Sequence, residues 1–258
     1  MRQKWTALVL AASRPGDPLA IAEKVSNKNL VDINGLSSLQ RVIIALNEAP
    51  TIGRVLVSVE NLDLVDEIKP KPEVLKASER VVDTVRETLE KVGAPLLVVT
   101  GDHALLTAEM VEIFLEKSTE TRAEVSVALA SKDVVSSAYP DVKRTYIKFA
   151  EGGYSGCNLF ALATSNATAA LDFWHKIDRN RKRPWVFLKS VDVWAFALYA
   201  LRRLTLDKAM ERLSKKIGVK AVAIRMPMAE AAIDVDKVSD LYLVRKIVEQ
   251  RHSSVKGA

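Results

Sequence analysis

The apolar run PLLVVT, Pro95 to Thr100, followed at once by Gly101-Asp102-His103, constrains this chain more than any other stretch. A continuous run of this kind predicts a central strand buried on both faces, as in a parallel sheet covered by helices. A carboxylate just beyond its carboxyl end is costly to hold near a dry core unless something pairs with it. In open α/β sheets that edge is where ligands gather. Asp102 therefore reads either as a turn or cap ahead of a helix starting near Thr107, or as a metal-binding carboxylate. The rest of the chain favours the second.

Strand and helix patterns alternate through the first half. Trp5–Leu10, Arg54–Val59, Leu96–Val99 and Glu124–Leu129 read as strands. Leu36–Leu46, Ser78–Val92 and Thr107–Lys117 carry apolar residues at helical spacing, with Asp, Ser or Thr near their starts. Such alternation predicts an α/β three-layer sandwich with a mostly parallel sheet. After about Ser131 the pattern changes. Thr145–Phe149 and Cys157–Leu162, separated by a glycine-rich stretch over 150–156, predict antiparallel strands around a flexible turn. A helix-rich stretch from Asn166 to Lys216, a strand over Val219–Ile224 and a helix over Val238–Gln250 follow. With no repeat and no low-complexity linker, the chain reads as a single domain over 1–250 with a helical and hairpin insertion at 131–218. Residues 251–258 read as a disordered tail.

Composition excludes several classes. A single cysteine, Cys157, cannot form an internal disulfide or a thiolate zinc site, and agrees with a reducing cytoplasm. The N-terminus MRQKWTALVLAAS reads as a first strand and not a signal peptide. Val193–Leu201 is too short to span a bilayer; it reads as core, with a dimer face or a peripheral membrane contact as the other options. The net charge of +6 suits an anionic partner, but its spread along the chain argues against nucleic acid. The densest basic cluster, Arg179 to Arg183, reads as a solvated helix end, with an acceptor phosphate, a lipid surface or RNA as alternatives.

The first strand runs into Leu10-Ala11-Ala12-Ser13-Arg14-Pro15-Gly16-Asp17-Pro18. Small residues there let a ligand approach the backbone, whose N–H groups can cradle phosphate, and Arg14 adds a fork of donors. Lys28 follows in NKNLVDING. Neither a GxGxxG nor a GxxxxGK[ST] pattern is present, which removes the common dinucleotide and P-loop readings.

These segments, with the helix opening LSSLQRVIIAL, VVTGDHALLT, and IDVDKVSDL at Ile233–Leu241, resemble in order the MobA-like nucleotidyltransferases. That family comprises relatives of the molybdenum-cofactor guanylyltransferases and sugar-phosphate nucleotidyltransferases, with a GT-A-like, Rossmann-related fold. The resemblance covers nearly all of 5–130 and again 219–250. It departs from the family's LAAGxGxR loop, since Ser13 and Pro15 stand where glycines are usual. It implies a nucleotide-binding half at 1–130, an acceptor-side insertion at 131–218 and a closing strand and helix at 219–250. Ala11, Ala12, Ser13 and Arg14 would hold the nucleotide, Lys28 the triphosphate, and Ser78 the base. Asp102 would ligate Mg²⁺ with Asp236 as its second carboxylate and Asp234 as the fallback. Gly153, Tyr154 and Asn158 would line the acceptor pocket, unless their segment is a plain hairpin.

The chemistry implied is transfer of an NMP moiety from an NTP to a phosphorylated small molecule, with pyrophosphate released. The acceptor is already ionised at neutral pH, so the reaction needs positioning and charge cancellation more than a strong base. Arg14, Lys28 and Asp102 would carry that work, with Mg²⁺ on the carboxylates and phosphates. Without the metal, Asp102 and Asp236 would repel each other. Two other readings stay open: a non-catalytic nucleotide or sugar-nucleotide binder, and an RNA-binding protein. Gly153-Tyr154-Ser155-Gly156-Cys157 nearly matches the GxSxG elbow of serine hydrolases, with His175 as a distant base, but the serine precedes a strand where the elbow needs a helix. The state expected is a cytoplasmic monomer or homodimer.

Overall fold

The computed structural model describes residues 4–142, 144–177 and 193–256. Its main sheet has eight strands, built on β1 (Trp5–Leu10), β4 (Ile52–Val59), β5 (Glu73–Lys76), β6 (Leu96–Thr100), β7 (Val125–Ser131), β8 (Ile147–Phe149), β9 (Gly152–Leu162) and β10 (Ala221–Arg225). The order is β10-β7-β9-β6-β1-β4-β5, with β8 pairing β9 beside this path. β6, β1, β4 and β5 are parallel neighbours, as are β7 and β10, while β9 runs antiparallel between β6 and β7. The three-layer, mostly parallel architecture is the one the alternating pattern predicts.

Alternation within β1 sends its side chains to two different cores. Ala7 and Val9 pack with α2 (Ser38–Glu48) and α4 (Ala108–Glu120) through Val42, Ile43, Val111 and Phe114. Leu8 faces the opposite layer, against Val82, Val85 and Leu89 of α3 (Val81–Val92) and Leu171 of α6 (Thr168–Ile177). A smaller core joins the closing helix α9 (Val238–Lys256), through Leu241, Val244 and Ile247, to Leu19, Val31, Ile33 and Leu105 of the first half. The other α-helices among the described residues are α1 (Pro18–Ala22), α5 (Lys132–Ala138), α7 (Val193–Ala200) and α8 (Leu206–Ile217).

Four boundaries differ from expectation for identifiable reasons. Leu36 belongs to a short hairpin, β2 (Asp32–Ile33) with β3 (Leu36–Ser37), turned at Asn34-Gly35 with both φ angles positive. Helix α2 starts only at Ser38, where the Ser37 side chain accepts the Gln40 amide. Helix α3 starts at Val81 and not Ser78, because Arg80 ahead of it is extended and forms its N-cap, with the Ser78 amide bonded to the Thr84 hydroxyl. The turn expected over 150–156 shrinks to Ala150-Glu151, since Gly152 to Gly156 are strand residues paired with β8 and β7. Finally, α9 runs on through Lys256, so the tail expected to be disordered is helical to that point.

Val193–Leu201 is only partly core. Leu198 and Tyr199 pack on Leu204 and Phe149, whereas Trp194 is 72% and Leu201 66% exposed. The Arg179–Arg183 cluster lies outside the described residues. Among the described residues no helix is long and apolar enough to cross a membrane.

Candidate active site at the carboxyl edge of the sheet

β1 and β6 are in register, Leu10 opposite Thr100, so their following loops leave the sheet side by side. The Gly101 amide donates to the Leu10 carbonyl at 2.9 Å and the Ala11 amide to the Ser58 carbonyl of β4 at 2.9 Å. Antiparallel β9 pairs Leu159 with Val99, which brings Asn158 to the same edge.

Lys28 opens a single 3₁₀ turn, Lys28–Leu30, flanked and filled by two buried asparagines. The side-chain amides of Asn27 and Asn29 each donate to the Ala11 carbonyl at 2.8 Å. Ser38 donates to the Gly101 carbonyl at 2.8 Å, closing the packing from the helix side. The Lys28 ammonium then donates to Asp102 Oδ2 and to Asp236 Oδ1, both at 2.7 Å. The second oxygen of Asp102 accepts the Thr100 hydroxyl at 2.5 Å. The Asp102 carbonyl accepts the Val235 amide at 3.0 Å, which holds the late acidic segment against the first half. Burial pulls the Lys28 pKa down, but the Asp102 and Asp236 carboxylates more than offset this and hold it above the ordinary lysine value. Burial draws neighbouring His103 down to about 4, so its imidazole is neutral at pH 7.

The residues expected to form the site divide into three groups. Lys28, Asp102 and Asp236 converge, two carboxylates on one cation. Two hard oxygen donors sharing a single positive charge suit Mg²⁺, which takes one or two carboxylates and completes its shell with water and phosphate. The expected bare repulsion between Asp102 and Asp236 does not arise, because the ammonium lies between them. Nor is Asp236 a plain helix cap, since its carboxylate meets Lys28.

Asp234 belongs to a second group. Its carboxylate accepts Arg144 Nη2 at 2.5 Å and Asn158 Nδ2 at 2.8 Å, so both oxygens are engaged away from Lys28. Asn158 holds a left-handed backbone with φ 52°, at the register shift where β9 bulges against β7. Tyr154 is buried beneath the Arg225 guanidinium, 5.8 Å from its ring, and stacks edge-on with Phe149. Its ring is a packing element here, and Gly153 leaves room for Tyr146. The Ser78 hydroxyl donates to Glu87 at 2.8 Å.

The first loop forms the third group. Arg14, Ser13, Gly16, Asp17 and Glu60 are among the residues lining a cavity of about 360 Å³. The Ser13 amide, offered by its sequence position to phosphate, donates to Glu60 Oε2 at 3.1 Å, while the buried Ser13 hydroxyl has no partner. Glu60 also accepts Asn27 Nδ2. Sequence reasoning passed over Asn27, Asn29, Glu60, Thr100 and Arg144. Signals for three of these existed: the two asparagines bracket Lys28, and Glu60 directly follows a strand as the Gly101-Asp102 pair does. Ser155 lies inside β9, paired with Ala130 of β7, which removes the elbow geometry a serine hydrolase requires.

The sheet is mixed, with β9 its one reversed strand among the described residues, and Lys28, Asp102 and Asp236 gather at its carboxyl edge. The chain shares this fold with a CMP-2-keto-3-deoxy-manno-octonic acid synthetase solved with CTP, at 16% identity, TM-score 0.60, and 96% and 100% coverage of this chain and that one. A 4-diphosphocytidyl-2C-methyl-D-erythritol synthase gives 15% identity, TM-score 0.56 and the same coverage, 96% and 100%. More specifically, the chain belongs to the family of a hypothetical transferase from Thermus thermophilus, with 30% identity, TM-score 0.81, and 93% and 100% coverage. No family model and no curated protein matches the chain.

Proposed function

We propose that this protein is a Mg²⁺-dependent, MobA-like nucleotidyltransferase that moves an NMP group from an NTP to a phosphorylated sugar or alcohol and releases pyrophosphate. The meeting of Lys28, Asp102 and Asp236 at one point carries the reading. Two acids and one lysine drawn from three separate segments, and pinned there by Asn27, Asn29, Thr100 and the Val235 amide, are more than a fold needs for stability, since partly exposed ion pairs contribute little. The chemistry supports it as well. In-line attack of an acceptor phosphate oxygen on the α-phosphorus forms one P–O bond as the bond to pyrophosphate breaks, so the main demand is for positive charge and alignment.

In this reading Ala11, Ala12, Ser13 and Arg14 hold the nucleotide, and Lys28 stabilises the charge on the departing pyrophosphate. Asp102 and Asp236 would hold Mg²⁺, which when bound offsets phosphate charge. Asn158 and the β8–β9 hairpin lie on the acceptor side. Cytidine nucleotides are the first to test, because the solved structures of the same fold include one with CTP.

The loop supports one rival, a non-catalytic nucleotide binder: Ser13 and Pro15 replace glycines, and the Ser13 amide is engaged by Glu60. A thermal-shift screen of NTPs with Mg²⁺, followed by pyrophosphate release in the presence of phosphorylated acceptors, separates the two. Stabilisation with pyrophosphate release supports transfer. Stabilisation with no release from any acceptor favours the binder.

A further inference from the structure

We propose that Lys28 is the resident counter-ion of the metal position, so that nucleotide and divalent cation can enter only together, with the ammonium passing from the carboxylates to the phosphates. The proposal rests on the Mg²⁺ reading of Asp102 and Asp236, and it concerns the protein before any nucleotide is bound.

The argument is one of charge. The Lys28 ammonium sits 2.7 Å from both carboxylates, and its side chain is only 18% exposed. A divalent cation arriving alone must either share the two acids with an ammonium already between them or expel it. The first brings like charges together at a site that solvent screens only in part, Asp102 being 11% and Asp236 60% exposed. The second strands a half-buried cation without a partner. A triphosphate arriving alone meets the reverse difficulty. To draw Lys28 away it must leave Asp102 and Asp236 facing each other unpaired, beside its own negative charge. Each ligand supplies what the other lacks: phosphate takes the displaced ammonium, and metal takes the vacated carboxylates. The two bindings are thus positively coupled, and by linkage each must raise the affinity of the other by the same factor.

Mn²⁺, followed by loss of its free-ion EPR signal, is a suitable probe on the nucleotide-free protein. The parent should bind it weakly at this position. Lys28→Met keeps the length of the side chain and removes the charge, and should bind Mn²⁺ roughly tenfold tighter or better, within the usual range of coupling. Lys28→Met combined with Asp236→Asn should lose that gain, and Lys28→Arg should show none. If Lys28→Met does not fold, judged by circular dichroism, Lys28→Gln makes the same comparison. Equal Mn²⁺ affinity of the parent and the uncharged variant would overturn the proposal, as would tight binding by the nucleotide-free parent. Neither outcome depends on turnover, so pyrophosphate release remains a separate test of the nucleotidyltransferase reading.

Discussion

Replacing Gly101 by alanine places a methyl group where the structure has no room for one. A Cβ there would lie 3.0 Å from the Ala11 Cβ and 3.1 Å from Asn29 Oδ1. Neither neighbour can retreat easily. Ala11 is fully buried and bonded through its amide to Ser58, and the Asn29 side chain is committed to the Ala11 carbonyl and to Asn27. The backbone at Gly101 does not demand glycine, so the cost is one of packing alone. Overpacking of a rigid interior costs about 1–3 kcal/mol. The lower entropy of the unfolded alanine chain returns about 0.4–1 kcal/mol of that. The net loss is about 1–2 kcal/mol, or roughly 2–8 °C in Tm for a domain of this size. The displacement also has a direction. Pushing Asn29 away moves the turn that carries Lys28, so NTP affinity should fall along with stability. Urea unfolding and calorimetric titration with NTP check both. A Gly101→Ala variant with parental Tm and parental NTP affinity would refute the claim that this glycine sets the spacing between the two loops.

Other predictions address single groups. Asp102→Asn should abolish Mg²⁺-dependent turnover, and because Lys28 already bridges the two acids, it should lower apo stability by about 1 kcal/mol; a rise in Tm would show that repulsion dominates after all. His103 is neutral in the fold with a pKa near 4, below its value of 6.5 when unfolded, so its contribution is complete above pH 6.5 and is lost as pH falls through 4. About 3 kcal/mol should disappear over that window in urea unfolding, and a His103→Asn variant with the same pH slope would remove the histidine from the account. Asn158→Ala should impair acceptor use more than NTP binding, and its left-handed backbone adds a second test. Asn158→Gly should be the more stable of the two by about 1 kcal/mol, since only glycine adopts that φ freely.

The parallel core was legible because its signal is local. Hydrophobic runs in β1, β4 and β6 record burial on both faces, β7 alternates between a buried and a half-buried face, and the helices between them record their amphipathic stripes. Lys28, Asp102 and Asp236 were legible only through the order of segments resembling a known family, since no periodicity joins residues so far apart. What escaped notice depends on partners distant in sequence. Nothing in the text around Glu73–Lys76 announces an edge strand until β4 is present to pair with it. Asp234 and Asp236 alternate identically in the chain, yet Arg144 and Asn158 take the first while Lys28 takes the second. The hairpin was misjudged because glycines usually mark turns, whereas here Gly153 sits in a strand close beside Tyr146.

The bond from the Val235 amide to the Asp102 carbonyl has a consequence for how the molecule is made. During synthesis the first half, with Lys28 and Asp102, leaves the ribosome long before Asp236 is added. Until then Asp102 is the only one of the two acids that Lys28 could meet. Asp236 reaches the ammonium only once the segment after β10 has been made and its Val235 amide is bonded to the Asp102 carbonyl. The site is completed by the segment between β10 and α9, and a chain cut ahead of Ile233 would lose a working part of it along with the helix that anchors it.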